Sequence, residues 1–346
     1  MNPLRALRDQ IVAAPEDLGL RRVYADMLVE RGAPRGEFIH LQLAPQSLEV
    51  EAAAQRLLER YFDHWVRPVR GSPAEVKFVR GFVEEWTCFP YAFSAIGNRV
   101  MRAVPLRRLS LRGVQRWNVD HLVRVKAFHL VRDLELRGLS DWPFHVLAGA
   151  GRFKRLERLA LEGAPQGRPV ALEGMLNSPF FAQLRALELE LPLELDDAAA
   201  VSVAMGRLTS LRVRHHVPVA EAPALERLEV SKLVRGATAP LVQLLRKAPA
   251  LRSLSLSVHA AAPLHPLVVE ALPKALERLA LSELSLGGAA VDALCAAEGL
   301  KRLRLENIQL SPARHRRLSE RFGQSLEGPP VPGPGVFGRL LRTLGR

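Results

Sequence analysis

Apolar positions along the middle of the chain recur in one short order, leucine at the first, fourth and sixth places of a six-residue run. LERLAL spans Leu156 to Leu161, and the same six letters return at Leu276 to Leu281. Seven related runs begin at Leu106, Val131, Leu184, Leu208, Leu225, Leu251 and Leu300. Successive starts lie 25, 25, 28, 24, 17, 26, 25 and 24 residues apart. Alternate side chains of a strand point to opposite faces, so the pattern predicts a strand in each run. Leu159 and Leu161 then face an interior, and Arg158, Ala160 and Glu162 face out.

A period of roughly 20 to 29 residues with this order is that of a leucine-rich repeat solenoid. One unit cannot bury its own leucines, but stacked units share a core and a parallel sheet. The expected fold is therefore an α/β solenoid over residues 106–322, nine units and a closing helix, with a curved parallel sheet inside and short helices or loops outside. Helical outer segments are expected at Val119 to Phe128, Pro240 to Leu245 and Ala290 to Ala297. The 17-residue unit from Leu208 carries Pro218 and Pro223, has no room for a helix, and predicts a local change of curvature. Where many such repeats place an asparagine ladder, this chain has Val114, Leu139, Ala164, Leu233, Leu284 and Ile308. LSLRGVQRW and LELRGLSDW align Gly113 with Gly138 and Trp117 with Trp142.

Before the repeats, helical spacing predicts two helices within residues 3–31. One face carries Leu4, Leu7, Ile11 and Val12, the other Leu20, Val23, Tyr24, Met27 and Leu28. A third short helix follows Pro34, and a fourth runs from about Leu48 to Trp65. Residues 67–105 then form an atypical cap: Val76, Phe78 and Phe82 alternate around Arg80-Gly81, which predicts strands turning at the glycine, with Trp86 and Phe89 in the core. Residues 323–346 are a Pro/Gly linker and a basic amphipathic tail, in which Phe337, Leu340, Leu341 and Leu344 stand beside Arg339, Arg342 and Arg346. That tail suits an anionic membrane or a partner, though 11 residues make only a marginal helix alone.

The runs Pro15-Glu16-Asp17, Arg22-Val23-Tyr24-Ala25-Asp26, Glu30-Arg31-Gly32 and Pro34-Arg35-Gly36-Glu37-Phe38-Ile39 resemble the bacterial repeat-companion domain. The resemblance covers about the first 43 residues. It implies a helical N-terminal module, residues 1–66, in front of leucine-rich repeats, and supplies no catalytic residues. Asp26, Arg31, Arg35 and Glu37 are expected to pair with one another and set the helix packing.

Composition narrows the function. No run approaches the ~20 apolar residues of a membrane span, and the first residues show no secretory signal. Two cysteines, Cys88 and Cys295, suit a reducing cytoplasm, and Cys295 is expected in the core. Nucleophile-elbow, phosphate-loop and zinc-protease motifs are missing. His215 and His216, neighbours expected to face opposite ways in a strand, make a poor metal pair. The expectation is a monomeric, non-enzymatic protein without cofactor or metal.

Net charge is +13, and a basic surface attracts acidic proteins, nucleic acid or anionic lipid; codon usage alone is the other source of such a bias. The first outward position of the repeats reads Arg107, Arg132, Glu157, Arg185, Thr209, Glu226, Arg252, Glu277, Lys301, a nearly alternating ladder. Two groups exceed it: Arg107, Arg108, Arg112, Arg132 and Arg137, with Asp133 and Glu135 against them, and Lys301, Arg302 and Arg304. These are the candidate partner-binding residues, and the candidate partner is a protein with an acidic surface. The other reading is an electrostatic binder of nucleic acid or anionic membrane; aromatic platforms for single strands are missing from these positions.

Overall fold

The computed structural model describes residues 2–45, 47–69, 75–115, 119–139, 153–163, 176, 178, 182–191, 201–234, 236–258, 263–308 and 310–328. The chain divides into two compact units, residues 1–184 and 185–346. Ala164, Trp117, Trp142 and the tail residues Phe337 to Arg346 lie outside the described residues.

The first unit begins with four helices, α1 (Pro3–Ala13), α2 (Leu18–Val29), α3 (Pro34–Leu43) and α4 (Leu48–Trp65). Local chemistry sets their starts. Asn2, Asp17 and Ser47 accept the free N–H groups of Leu4, Leu20 and Val50, and proline opens α1 and α3, where its missing N–H costs nothing. The buried face of α2 carries Arg21, Tyr24, Ala25 and Leu28. It is rotated about one residue from the expected face, so Val23 is 51% exposed and Arg21 is fully buried. Gly36 lets α3 cross α2 closely, since a Cβ there would stand 2.6 Å from the Ala25 carbonyl oxygen.

Against these helices packs a hairpin of β1 (Glu75–Val79) and β2 (Phe82–Cys88). Its two-residue turn, Arg80-Gly81, has positive φ at both positions, 52° and 84°, the type I′ geometry that matches strand twist. Ile11, Tyr24, Ala25, Leu28, Ile39 and Phe82 share one apolar cluster, so the hairpin and helices bury each other. Trp86 is buried as expected. Phe89 is not: it precedes α5 (Pro90–Ala103) as its N-cap, lies 40% exposed and stacks on Tyr91. Strands β3 (Arg108–Arg112), β4 (Asp133–Leu139) and β5 (Arg158–Gly163) follow, each parallel to its predecessor in the order β2-β3-β4-β5. Between β3 and β4 the outer segment contains the one-turn helix α6 (Val119–Leu122) and a 3-10 turn over Lys126–Leu130.

The second unit holds β6 (Ala186–Glu190), β7 (Ser210–Arg214), β8 (Arg227–Leu233), β9 (Ser253–Val258), β10 (Arg278–Ser282), β11 (Arg302–Glu306) and the two-residue β12 (Leu326–Glu327). All pair in parallel and in sequence order. Outer helices include α7 (Thr238–Arg246), α8 (Pro266–Glu270), α9 (Gly288–Ala296) and the closing α10 (Pro312–Phe322), which starts on Ser311 and Pro312. No helix lies between β7 and β8, as the prolines there require. The repeat strands of both units form leucine-rich-repeat solenoid, an α/β fold with parallel strands carrying the repeat leucines inward.

Two backbone devices hold the coils in register. The carbonyl just before a strand accepts two N–H groups from the next coil. Arg132 O takes Glu157 N and Arg158 N at 2.8 and 3.0 Å; in the second unit Glu226 O takes Arg252 N and Ser253 N, and Glu277 O takes Lys301 N and Arg302 N, all within 3.0 Å. In six repeats the residue seven places after the start turns the corner with positive φ: Gly113, Gly138, His215, Lys232, Glu283 and Asn307. After five of these corners the next residue points inward, so Val114, Leu139, Leu233, Leu284 and Ile308 are buried where an asparagine ladder would stand, while His216 is exposed. His215 and His216 thus lie in a corner after β7 rather than within a strand. Gly138→Ala is expected to cost about 1–2 kcal/mol from its left-handed φ of 73°, because a Cβ there meets only ordinary contacts at 3.5 Å. The midpoint of chemical denaturation reads this.

Candidate functional site

Side chains at alternate strand positions lie on the outward face of the repeat strands, where Ser110 and Ala160 are themselves covered by their neighbours. In the first unit they form three rows by register: Glu85, Arg108, Asp133, Arg158; then Thr87, Ser110, Glu135, Ala160; then Arg112, Arg137, Glu162. The five arginines singled out by sequence are brought together here, and each meets a carboxylate. Arg112 grips Glu75 with both terminal nitrogens at 3.0 and 2.9 Å. Arg107 reaches Glu16 at 2.9 Å and Arg132 reaches Glu157 at 3.5 Å. Arg108 lies 3.5 Å from Glu135, and Arg137 lies 2.7 Å from Glu135 and 3.7 Å from Glu162. Glu16, Glu75, Glu157 and Glu162 were not counted against these cations in the sequence, because Glu16 and Glu75 come from the helical module and the hairpin.

The expected pairing among Asp26, Arg31, Arg35 and Glu37 is replaced by another network. Asp26 lies 3.0 Å from His40 Nε2, and Arg35 donates to the Gly81 carbonyl. The buried ion pair is Arg21 with Glu84, 2.8 Å apart, with neither side chain more than 3% exposed. Arg21 also donates to the carbonyls of Pro15 and Arg80 at the hairpin tip. Arg80 bonds both oxygens of Glu84 at 3.0 and 2.6 Å and reaches Glu16 at 3.0 Å. Burial pushes the Arg21 guanidinium below its ordinary value against the pull of Glu84; an arginine so placed stays charged. Each shares a face with apolar neighbours, for Arg21 stands three and four before Tyr24 and Ala25, and Glu84 lies on the same strand face as Phe82, Trp86 and Cys88.

Acid should loosen the first unit through its paired carboxyls. Burial raises the Glu135 carboxyl, yet the Arg137 hydrogen bond and the nearby cations outweigh it and hold it below the ordinary value of 4.5. A depressed carboxyl stabilises above its unfolded value and loses that contribution as pH falls through its folded value. Asp133 has the opposite sign, since burial raises it despite Arg158, Arg107 and Arg108; its share is lost as pH rises. Glu135→Gln is expected to be about 1 kcal/mol less stable at pH 7 and to lose less than wild type on acidification below about 4.5, read by denaturant titrations at each pH.

The second unit distributes charge differently. One row reads Ser210, Arg227, Ser253, Arg278, Arg302, and the next reads Glu188, Arg212, Glu229, Ser255, Ala280, Arg304. Arg212 is consumed by Glu229 at 2.5 Å, Glu190 at 3.8 Å and Glu188 at 3.9 Å. Of the second sequence-derived group, Lys301 pairs with Glu277 at 2.6 Å and Arg304 with Glu306 at 2.5 Å. Arg302 makes no ion pair within 4.0 Å among the described residues, and neither do Arg227, Arg252 and Arg278; all four are exposed. Arg252 and Arg278 do act on Glu277 at longer range, which the Lys301 hydrogen bond first and their charges after it hold below its ordinary value. Sequence reasoning missed Arg227 and Arg278 because it followed only the first outward position along all nine repeats and took second-position arginines, Arg108 and Arg302, only in the first and last of them. The second outward position follows from the same register.

Burial pushes the Cys88 thiol well above its ordinary value, and Cys295 is half-buried rather than core, its Sγ facing the Arg317 carbonyl at 3.9 Å. Among the described residues no helix is long and apolar enough to cross a membrane.

No protein-family model matches the chain, and no curated protein matches it. Among solved structures it is similar to one described as the crystal structure of the Rad7 and Elc1 complex in yeast, with 14% sequence identity and a TM-score of 0.45 over 75% of this chain and 82% of that chain.

Proposed function

We propose that this protein is a non-catalytic interaction module that captures a protein partner with an acidic surface through the solvent face of its repeat sheet. The observation that carries the reading is a set of arginines in the second unit, Arg227, Arg278 and Arg302 in one row with Arg252 beside it, left without carboxylates at ion-pair distance where neighbouring cations are matched. Unpaired guanidiniums are ready donors for planar, bidentate contact with carboxylates. In this reading residues 1–66 are a repeat-companion module, residues 67–105 cap the solenoid, and residues 323–346 are an appended basic tail. The two cysteines suit a cytoplasmic setting.

The competing class is a general polyanion binder. Glu226, Glu229 and Glu277 stand among the arginines and repel a continuous phosphate backbone, whereas a folded partner can place its acids between them. Fluorescence anisotropy with a labelled glutamate-rich peptide and with duplex DNA, and sedimentation with phosphatidylserine liposomes, each across a salt series, separates the classes. The peptide is expected to bind most tightly at every salt concentration. Tighter binding to DNA or liposomes contradicts the proposal.

A further inference from the structure

Thr209, Ser210, Glu226, Arg227, Arg252 and Arg278 line one open cavity of about 170 Å³ at the N-terminal end of strands β7 to β10. We propose that this cavity is a subsite for a phosphate monoester, the phosphorylated side chain of a protein partner. The inference rests on the protein-binding reading and specifies the chemistry of its central contact.

Charge and shape select this ligand over a carboxylate. Three guanidiniums and one carboxylate line the cavity, leaving a lining charge of +2. A phosphorylated side chain carries about −1.5 to −2 near pH 7 and presents three acceptor oxygens, while a carboxylate brings one charge and two oxygens. The donors are available: none of the three arginines has an ion pair within 4.0 Å among the described residues. They are also spread around the space, because Ser253 separates Arg227 from Arg278 in the register and Arg252 precedes Ser253 in the chain. The Thr209 hydroxyl is committed to the Arg185 carbonyl at 3.2 Å, so Ser210 supplies the neutral donor. Glu226, inside the lining, repels a second phosphate and so disfavours a diester chain.

The test uses the full chain and three acidic peptides that differ at one central residue: phosphoserine, glutamate or serine. The phosphoserine peptide is expected to bind at least tenfold more tightly than the glutamate peptide, and inorganic phosphate is expected to compete where acetate at equal ionic strength does not. Arg252→Ser and Arg278→Ser are each expected to remove most of that preference, with Arg278→Lys retaining part of it. Arg112→Ser, on the other unit, leaves it unchanged. The preference should fade below about pH 6 as the phosphate loses its second charge. Equal binding of the phosphoserine and glutamate peptides, both weakened alike by Arg278→Ser, overturns the phosphate subsite and leaves the acidic-partner reading standing. Binding of neither peptide overturns both. Tighter binding of duplex DNA than of the phosphoserine peptide also overturns the subsite.

Discussion

Glu84→Ala is expected to destabilise the protein by about 3–5 kcal/mol, measured as a shift of the urea midpoint at constant slope. The substitution leaves the Arg21 guanidinium in the interior with carbonyl partners and no counter-ion, 0% of its side chain exposed. Arg80 keeps Glu16, so the damage concentrates on Arg21. Removing the stranded charge as well should recover part of the loss, because replacing a buried pair with apolar groups costs less than breaking it. Arg21→Met combined with Glu84→Leu is therefore expected to be more stable than Glu84→Ala alone. It stays below wild type, since the Pro15 and Arg80 carbonyls lose their donors. A Glu84→Ala loss under 1 kcal/mol would show that water reaches Arg21 and that the network is superficial.

Gly81→Ala is expected to cost about 3 kcal/mol or more, from two sources that a second variant separates. Gly81 has a φ of 84°, a region that costs an L residue about 1–2 kcal/mol. A Cβ there would also lie 2.1 Å from Ile39 Cγ1 and 2.9 Å from Ile39 Cβ, and such overpacking adds about 1–3 kcal/mol. Gly32 shares the backbone condition, with φ of 67° and nothing within 4 Å of the added atom. Gly32→Ala should thus show the conformational part alone, about 1–2 kcal/mol. Equal losses at the two positions would mean that the hairpin tip does not press on Ile39.

The repeat core was legible because its signal is redundant. Leu109, Leu134, Leu159, Leu187, Leu211, Leu228, Leu254, Leu279 and Leu303 all fall on the predicted inward face, and all are buried. The closing helix and the absence of a helix after β7 were equally plain, since proline, serine and segment length decide them locally. What sequence could not supply were pairings between distant segments. Arg112 and Glu75 are 37 positions apart and Arg80 and Glu16 are 64 apart, so counting charge within a repeat leaves Arg112 looking unmatched. The face of α2 was misjudged for a different reason. An arginine on an apolar stripe is ordinarily moved to the solvent side, and only the carboxylate of Glu84 and the carbonyls at the hairpin tip make Arg21 an interior residue.

The resemblance residues acquire physical jobs from this arrangement. Tyr24 packs its ring 5.6 Å from that of Phe82, Gly36 admits the close crossing of α2 and α3, and Arg35 sets its guanidinium over Phe82 while donating to Gly81. Together they receive the tip of a hairpin whose second strand begins the parallel stack.

The most direct measurement compares two charge reversals by anisotropy with the same glutamate-rich peptide: Arg107, Arg108 and Arg112 to Glu on the first unit, and Arg227, Arg278 and Arg302 to Glu on the second. The first reversal acts on cations already matched by Glu16, Glu135 and Glu75, and it is expected to weaken binding less than threefold. The second acts on cations without such partners and is expected to weaken it more than thirtyfold. Equal losses, or a larger loss on the first unit, would contradict the placement of the binding surface.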